Sequence, residues 1–364
     1  MPSENLSKNS SKNLSDNPPD MVREDGTYST VELRRPMIFV TTVQTRVGGV
    51  SGDNPGPDIR RNQDYFLESI DIAQSGGPPS DLLVFHEFPI TGFSNWTKEQ
   101  HYNLALTLDG PELAEVAAKT KQYNCYIVFG GYFKDEENWP GHVLHQMILM
   151  GPDGVVANHW KQRNLRGLWP TESYTTTIYD VYDRFVEMYG LDAVVPVVQT
   201  DIGNIAMSAV QFEPELFRCM AMKGAEIICR VATGGFEYHD FRLTSYHNSL
   251  YTIATNNAVN TGERMPGFFD DANYGAPGNS AIFGPRGVEL ENCGPFETKR
   301  LAMIPIAQFR QKHRIPDVHM DIYRPVFDQY RTRYDRSAYL DHLPADKRDA
   351  SKQFQENARW IHNW

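Results

Sequence analysis

Residues 206–230, AMSAVQFEPELFRCMAMKGAEIICR, constrain the fold more than any other stretch. They read as a buried strand, a tight turn, a helix opening at Pro214, and a second buried strand. Strand-turn-helix units of this kind often carry a nucleophile at the turn. The residues on offer are Met207, Ser208, Ala209, Val210, Gln211, Phe212 and Glu213, and none is cysteine.

The same grammar runs through most of the chain. MIFVTTVQTRV (37–47) reads as a strand, and residues 57–76 carry helical spacing with Ile59, Phe66 and Ile70 on one face. DLLVFHEF (81–88) is an apolar run ending in a charged pair, as a buried strand does at its functional end. Residues 111–125 open with proline at a first helical position, and YIVFGGYF (126–133) is the next strand. LHQMILMGPDGVVANHWK (144–161) reads as a hairpin turning at Pro-Asp-Gly. Residues 173–199 are rich in Tyr and Thr and are expected to form an ordered surface loop or lid.

FRLTSYHNSLYTIATNNAV (241–259) reads as a helix running into a strand, and NSAIFGPRGVELENCG (279–294) as a second hairpin. Its IFGPRGV echoes the earlier LMGPDGV, which hints at an internal duplication. KRLAMIPI (299–306) is a last core strand. Strands alternating with helices, but interrupted by hairpins, favour a mixed sheet or two sheets in an α/β fold, with helices outside.

Residues 1–35 are polar and aperiodic and are expected to form a disordered tail. Residues 308–364 are charged and aromatic and are expected to form an arm on the surface or against a neighbouring subunit. A net charge of −11 argues against nucleic-acid or anionic-membrane partners. Cys125, Cys219, Cys229 and Cys293 lie far apart without a CxxC pair, as reduced cysteines of a cytoplasmic protein do. No stretch approaches a membrane span, and no apolar signal core is present.

Three apolar strands end in a polar residue or turn of useful chemistry: Glu87, Lys161 and the turn before Pro214. A carboxylate, an ammonium and a nucleophile can together serve as general base, oxyanion stabiliser and attacking group. With these stretches in view, the chain resembles the carbon–nitrogen hydrolase (nitrilase) superfamily, closest to its aliphatic amidases and formamidases. The resemblance covers residues 37–307 and rests on DLLVFHEFPITGF, GPDGVVANHWKQRNL, PELFRCMAMKGAEIICR, TIATNNAV and GNSAIFGPRGVELENCG. It implies a four-layer α-β-β-α sandwich over residues 36–307, subunits paired through helices as a homodimer or higher even-numbered oligomer, and no metal or cofactor. It also implies Glu87 as base, Lys161 as oxyanion stabiliser and Glu172 of WPTE (169–172) as an orienting carboxylate.

The departure falls on the turn, where the family carries its cysteine. Counting back from Pro214 places that position at Ser208, and counting forward from Gly203 places it near Val210. Ser208 is therefore expected as nucleophile or as anchor of an activated water, with His86, Val210 and Gln211 contacting a small amide- or nitrile-like substrate. Two other readings stand beside this one: an inactive ligand-binding member, and lyase-type chemistry on the same Glu-Lys pair. His142 and His145 form an HxxH spacing with no third ligand in a strand-like context, which argues against a metal there.

Overall fold

The computed structural model describes residues 23–164, 172–259 and 278–361. Two six-stranded sheets form its centre. The first takes β1 (Ile38–Gln44), β2 (Leu82–Val84), β3 (Tyr126–Asp135), β4 (Trp139–Gly151) and β5 (Gly154–Trp160). The second takes β6 (Val198–Thr200), β7 (Gly203–Ser208), β8 (Ile227–Val231), β9 (Tyr251–Thr255), β10 (Ala281–Gly284) and β11 (Val288–Asn292). The last strand, β12 (Thr298–Ile304), returns to the first sheet.

The first sheet runs in the order β12-β1-β2-β3-β4-β5, the second β11-β10-β9-β8-β7-β6. Each has three adjacent parallel strands (β1, β2, β3 and β7, β8, β9), then an antiparallel hairpin, with an antiparallel strand on the opposite edge. The two hairpins that echo each other in sequence occupy equivalent places in this repeated topology.

Strand alternation sorts the core into layers. Val40, Leu82, Val84 and Val128 of the first sheet pack against Ile205, Met207, Cys229 and Ile253 of the second. The opposite face of the first sheet (Leu83, Ile127, Phe129) packs on Phe66 and Ile70 of α1 (Pro55–Gln74) and Val116 of α3 (Pro111–Tyr123), between which lies α2 (Lys98–Leu104). On the second sheet, Ala206 and Ile228 pack on Phe217 and Met220 of α5 (Pro214–Met222), which follows α4 (Tyr182–Tyr189). Phe241 of α6 (Tyr238–Asn248) covers Ala254 and Phe283. The result is a four-layer α-β-β-α sandwich.

Several elements depart from the sequence reading. The run 81–88 keeps only Leu82–Val84 in the ladder. Beyond it the backbone bends toward the other sheet, where the Glu87 N–H donates to Ala232 O at 3.4 Å. Residues 173–199, read as a loop, contain α4, because Phe185 buries against Trp160 with ring centroids 5.2 Å apart. Residues 23–35 were assigned to the tail but pack on the body. Tyr28 is buried, and its hydroxyl donates to Glu226 Oε1 at 3.0 Å. Glu226 is itself fully buried and also accepts two bonds from the Arg310 guanidinium, each 2.8 Å. A contact spanning 198 residues leaves no mark on local composition. The rest of the expected tail, residues 1–22, lies outside the described residues.

The C-terminal segment contains α7 (Ile306–Lys312), α8 (Met320–Gln329), α9 (Ala338–Asp341) and α10 (Lys347–Asn357). Tyr339, Ala350 and Phe354 join the chain's own core beside the first sheet. By contrast, α8 buries none of its residues and exposes Ile322, Tyr323, Val326 and Phe327.

Candidate active site

The strand ends bring the charged residues together. Lys161 follows β5 directly, its N–H held by His145 O at 2.8 Å and its carbonyl by Ile178 N at 3.0 Å. Glu87 follows β2 across Gly130 of β3. A Cβ on Gly130 would lie 2.6 Å from Glu87 O, so only glycine allows this approach. Glu172 is held through its carbonyl, which accepts from Asn164 Nδ2 at 3.0 Å and Thr175 Oγ1 at 2.7 Å.

The three side chains meet in the interior. Lys161 Nζ lies 3.2 Å from Glu87 Oε1 and 3.2 Å from Glu172 Oε2. Tyr132 donates to Glu172 Oε1 at 3.0 Å. His145 completes the ring of groups, with Nε2 2.9 Å from Glu87 Oε1 and Nδ1 3.5 Å from Glu172 Oε1. Phe88 stacks on Tyr132 at 4.5 Å and seals one side.

Burial governs the protonation of these groups. It raises the Glu87 carboxyl to about 7, although Lys161 pulls the other way. Burial also acts to lower Lys161, but the two carboxylates outweigh it and its pKa is raised. His145 is driven well below the ordinary imidazole range by burial and then by Lys161. A lysine that stays charged beside a carboxylate poised near neutrality suits acid–base work at neutral pH.

These groups open on a small cleft. Glu87, Lys161 and Glu172 line one side; Ala209, Val210 and Gln211 of the turn line the other, with Thr233, Phe93 and Phe236 around them. Its volume of about 30 Å³ admits a water-sized group. Arg163, paired with Glu213, stands at the rim.

The turn answers the two counts. Ser208 ends β7, fully buried, with Oγ 3.2 Å from Gln162 Oε1 and accepting from the Val210 N–H at 3.1 Å. It is not part of the cleft wall, whereas Val210 and Gln211 are. The turn is tight enough to force Phe212 into the left-handed region, at φ 59°, uncommon for a bulky residue. His86 also stays out of the cleft: alternation turns it away from Glu87, and its Nδ1 accepts from the Phe88 N–H at 3.1 Å. Burial lowers its pKa to about 3, so the ring is neutral.

Two contributors escape the sequence reading. Arg230, fully buried at the end of β8, donates to Val210 O at 2.7 Å and Asp240 Oδ2 at 2.6 Å. Its guanidinium lies 4.2 Å from the Phe217 ring centroid and 4.9 Å from that of Phe241. It braces the turn from behind, and the one signal for it was a charge inside an apolar run. His145 is the other. It does not pair with His142, whose Nδ1 meets Thr176 Oγ1 at 2.8 Å, because residues three apart on a strand face opposite ways.

Glu87, His145 and Glu172 offer ligand atoms within 4.8 Å of one another, a spacing that could hold a metal ion. Lys161 Nζ contacts both carboxylates and already supplies the positive charge there.

A model of the family described as carbon-nitrogen hydrolase matches residues 43–313, and the chain belongs to that family. The chain is 23% identical over 209 residues to a formamidase of Bacillus cereus, covering 55% of this chain and 57% of the relative. A formamidase of Helicobacter acinonychis is 22% identical over 214 residues, covering 56% and 58%. The chain thus spans little more than half the length of the curated relatives it matches. Among solved structures, an amidase from Nesterenkonia sp. superposes with TM-score 0.55 at 14% identity, covering 82% of this chain and 100% of that one. Saccharomyces cerevisiae Nit3, of the nitrilase superfamily, superposes with TM-score 0.57 at 17% identity, covering 78% and 96%. At these identities the structural likeness is one of fold. Among the described residues, no helix is long and apolar enough to cross a membrane.

Proposed function

We propose that this protein is a cytoplasmic hydrolase of small amides in which water, rather than a side chain of the turn, attacks the carbonyl carbon. The observation that carries this reading is a Glu87–Lys161–Glu172 cluster facing a cleft whose opposite wall is Val210. Glu87 takes a proton from water as its oxygen bonds to the carbonyl carbon, and Lys161 faces the developing oxyanion. Collapse breaks the C–N bond while Glu87 returns the proton to the leaving nitrogen. The products are a carboxylic acid and ammonia or an amine. Glu172 orients Lys161. Attack by Ser208 would first require its hydroxyl to leave Gln162 and the Val210 N–H. The formamidase relatives make formamide the first substrate to test.

The apolar wall also favours a second reading, a ligand-binding member without turnover. Thermal stabilisation by formamide or acetamide with no ammonia released over days would select it. The lyase-type reading predicts turnover without consumption of water, and oxygen-18 incorporation from labelled water into the acid rules it out.

A cysteine scan tests the geometry of the turn. A related amidase carries the acetamide moiety of fluoroacetamide on its active-site cysteine. Val210→Cys is expected to be alkylated by fluoroacetamide, with the adduct seen by intact mass. Ser208→Cys is expected to react at least tenfold more slowly, because the thiol would lie buried behind the wall. Equal labelling of both would overturn the assignment of Val210 to the cleft.

For assembly, we take the exposed face of α8 as the contact of an even-numbered homo-oligomer. Replacing Ile322 and Phe327 together by aspartate is expected to lower the mass measured by light scattering to that of one chain. An unchanged mass would remove α8 from the interface.

A further inference from the structure

We propose that His145 joins Glu87 and Glu172 into one unit that holds a single proton and passes it between the two carboxylates. The argument begins with charge. Two carboxylates, one ammonium and a neutral imidazole leave one net negative charge in the interior. An uncompensated buried charge is costly, so the cluster retains one proton.

The geometry says where that proton can go. His145 stands between the carboxylates, Nε2 2.9 Å from Glu87 Oε1 and Nδ1 3.5 Å from Glu172 Oε1. Neither nitrogen is aligned for a full hydrogen bond in this arrangement, and a small ring rotation would serve either side. A neutral imidazole carries one N–H and one lone pair. With the proton on Glu87, Nε2 accepts from it and Nδ1–H donates to Glu172. Transfer of the Glu87 proton to Nε2, with loss of the Nδ1 proton to Glu172, gives the mirror state. The ring stays neutral and changes tautomer, no net charge moves, and the reverse step resets it.

The other groups around His145 fit this role. Lys161 disfavours an imidazolium. The Tyr132 ring lies 5.3 Å away, and its hydroxyl donates to Glu172 Oε1 at 3.0 Å. His101 sits beyond Tyr132, with its ring 4.0 Å from the tyrosine ring, and Phe88 closes the remaining side at 5.2 Å. In the hydrolytic reading, on which this inference rests, the unit leaves Glu87 free as a base while the proton waits on Glu172.

The test is nitrogen NMR of the full chain labelled with [15N]histidine, with the His145 signals assigned by their loss in His145→Asn or His145→Gln. In the wild type at pH 8, both ring nitrogens of His145 are expected between the protonated and unprotonated limits, as two exchanging tautomers require. Glu87→Gln should shift the ring toward Nδ1–H, and Glu172→Gln toward Nε2–H. A single fixed tautomer in the wild type overturns the proposal, whether or not the variants fold. The readout needs no substrate, so it fails or stands separately from the assignment of Glu87 as the base in turnover.

Discussion

Glu87→Gln is expected to lower turnover of formamide by about 10²–10⁴-fold, the usual contribution of a positioned general base. Glutamine keeps the size and one hydrogen-bonding oxygen, so binding should change far less than turnover. The wild-type rate should rise with pH along one limb centred at about 7, the value to which burial raises Glu87. Stability should move in the opposite sense. A carboxyl whose pKa is higher in the fold than its ordinary 4.5 favours the fold fully below that ordinary value. That contribution is lost as pH rises towards about 7, a difference of about 3 kcal/mol. Glu87→Gln should therefore melt progressively higher than the wild type as pH is raised from 4.5 to 7. Formamide assays and calorimetry at matched pH check both halves. A variant that turned over at the wild-type rate would remove Glu87 from the chemistry.

Lys161→Met is expected to do more damage to the fold. It leaves Glu87 and Glu172 buried without the ammonium 3.2 Å from each. Removing one partner of a buried ion pair costs about 3–5 kcal/mol, and the orphaned carboxylates can recover part of this only by taking up protons. The destabilisation should therefore be larger at pH 8 than at pH 5, as denaturant titrations at the two values would record. Turnover should fall by about 10²–10³-fold where the protein remains folded, the loss seen when an oxyanion donor is removed. Equal destabilisation at both pH values would mean that Lys161 does not neutralise this pair.

The layers were legible because apolar runs, proline-opened helices and Pro/Gly-centred hairpins are local signals. Glu87 and Lys161 stood out because each ends an apolar strand. The turn was harder. Its counts from Gly203 and Pro214 disagree by two residues, and only the path of the chain shows that Val210 faces the cleft while Ser208 is tied to Gln162. His145 was seen only as half of an HxxH pair, a spacing that converges on a helix but diverges on a strand. Arg230 and the Tyr28–Glu226 contact depend on partners far along the chain or across a layer, which no window of sequence contains.

The repeated topology of the two sheets divides labour at the cleft. The first sheet carries the base and the lysine, and the second carries the turn and its brace, Arg230. The two walls are thus anchored in separate frameworks that touch through an apolar layer. A change of length in the turn is absorbed within the second framework, at Phe212 and against Arg230, and the charges on the first need not shift. The fold thereby allows its attacking group to be exchanged independently of its acid–base apparatus, which makes residues 208–213 the place to install a new nucleophile.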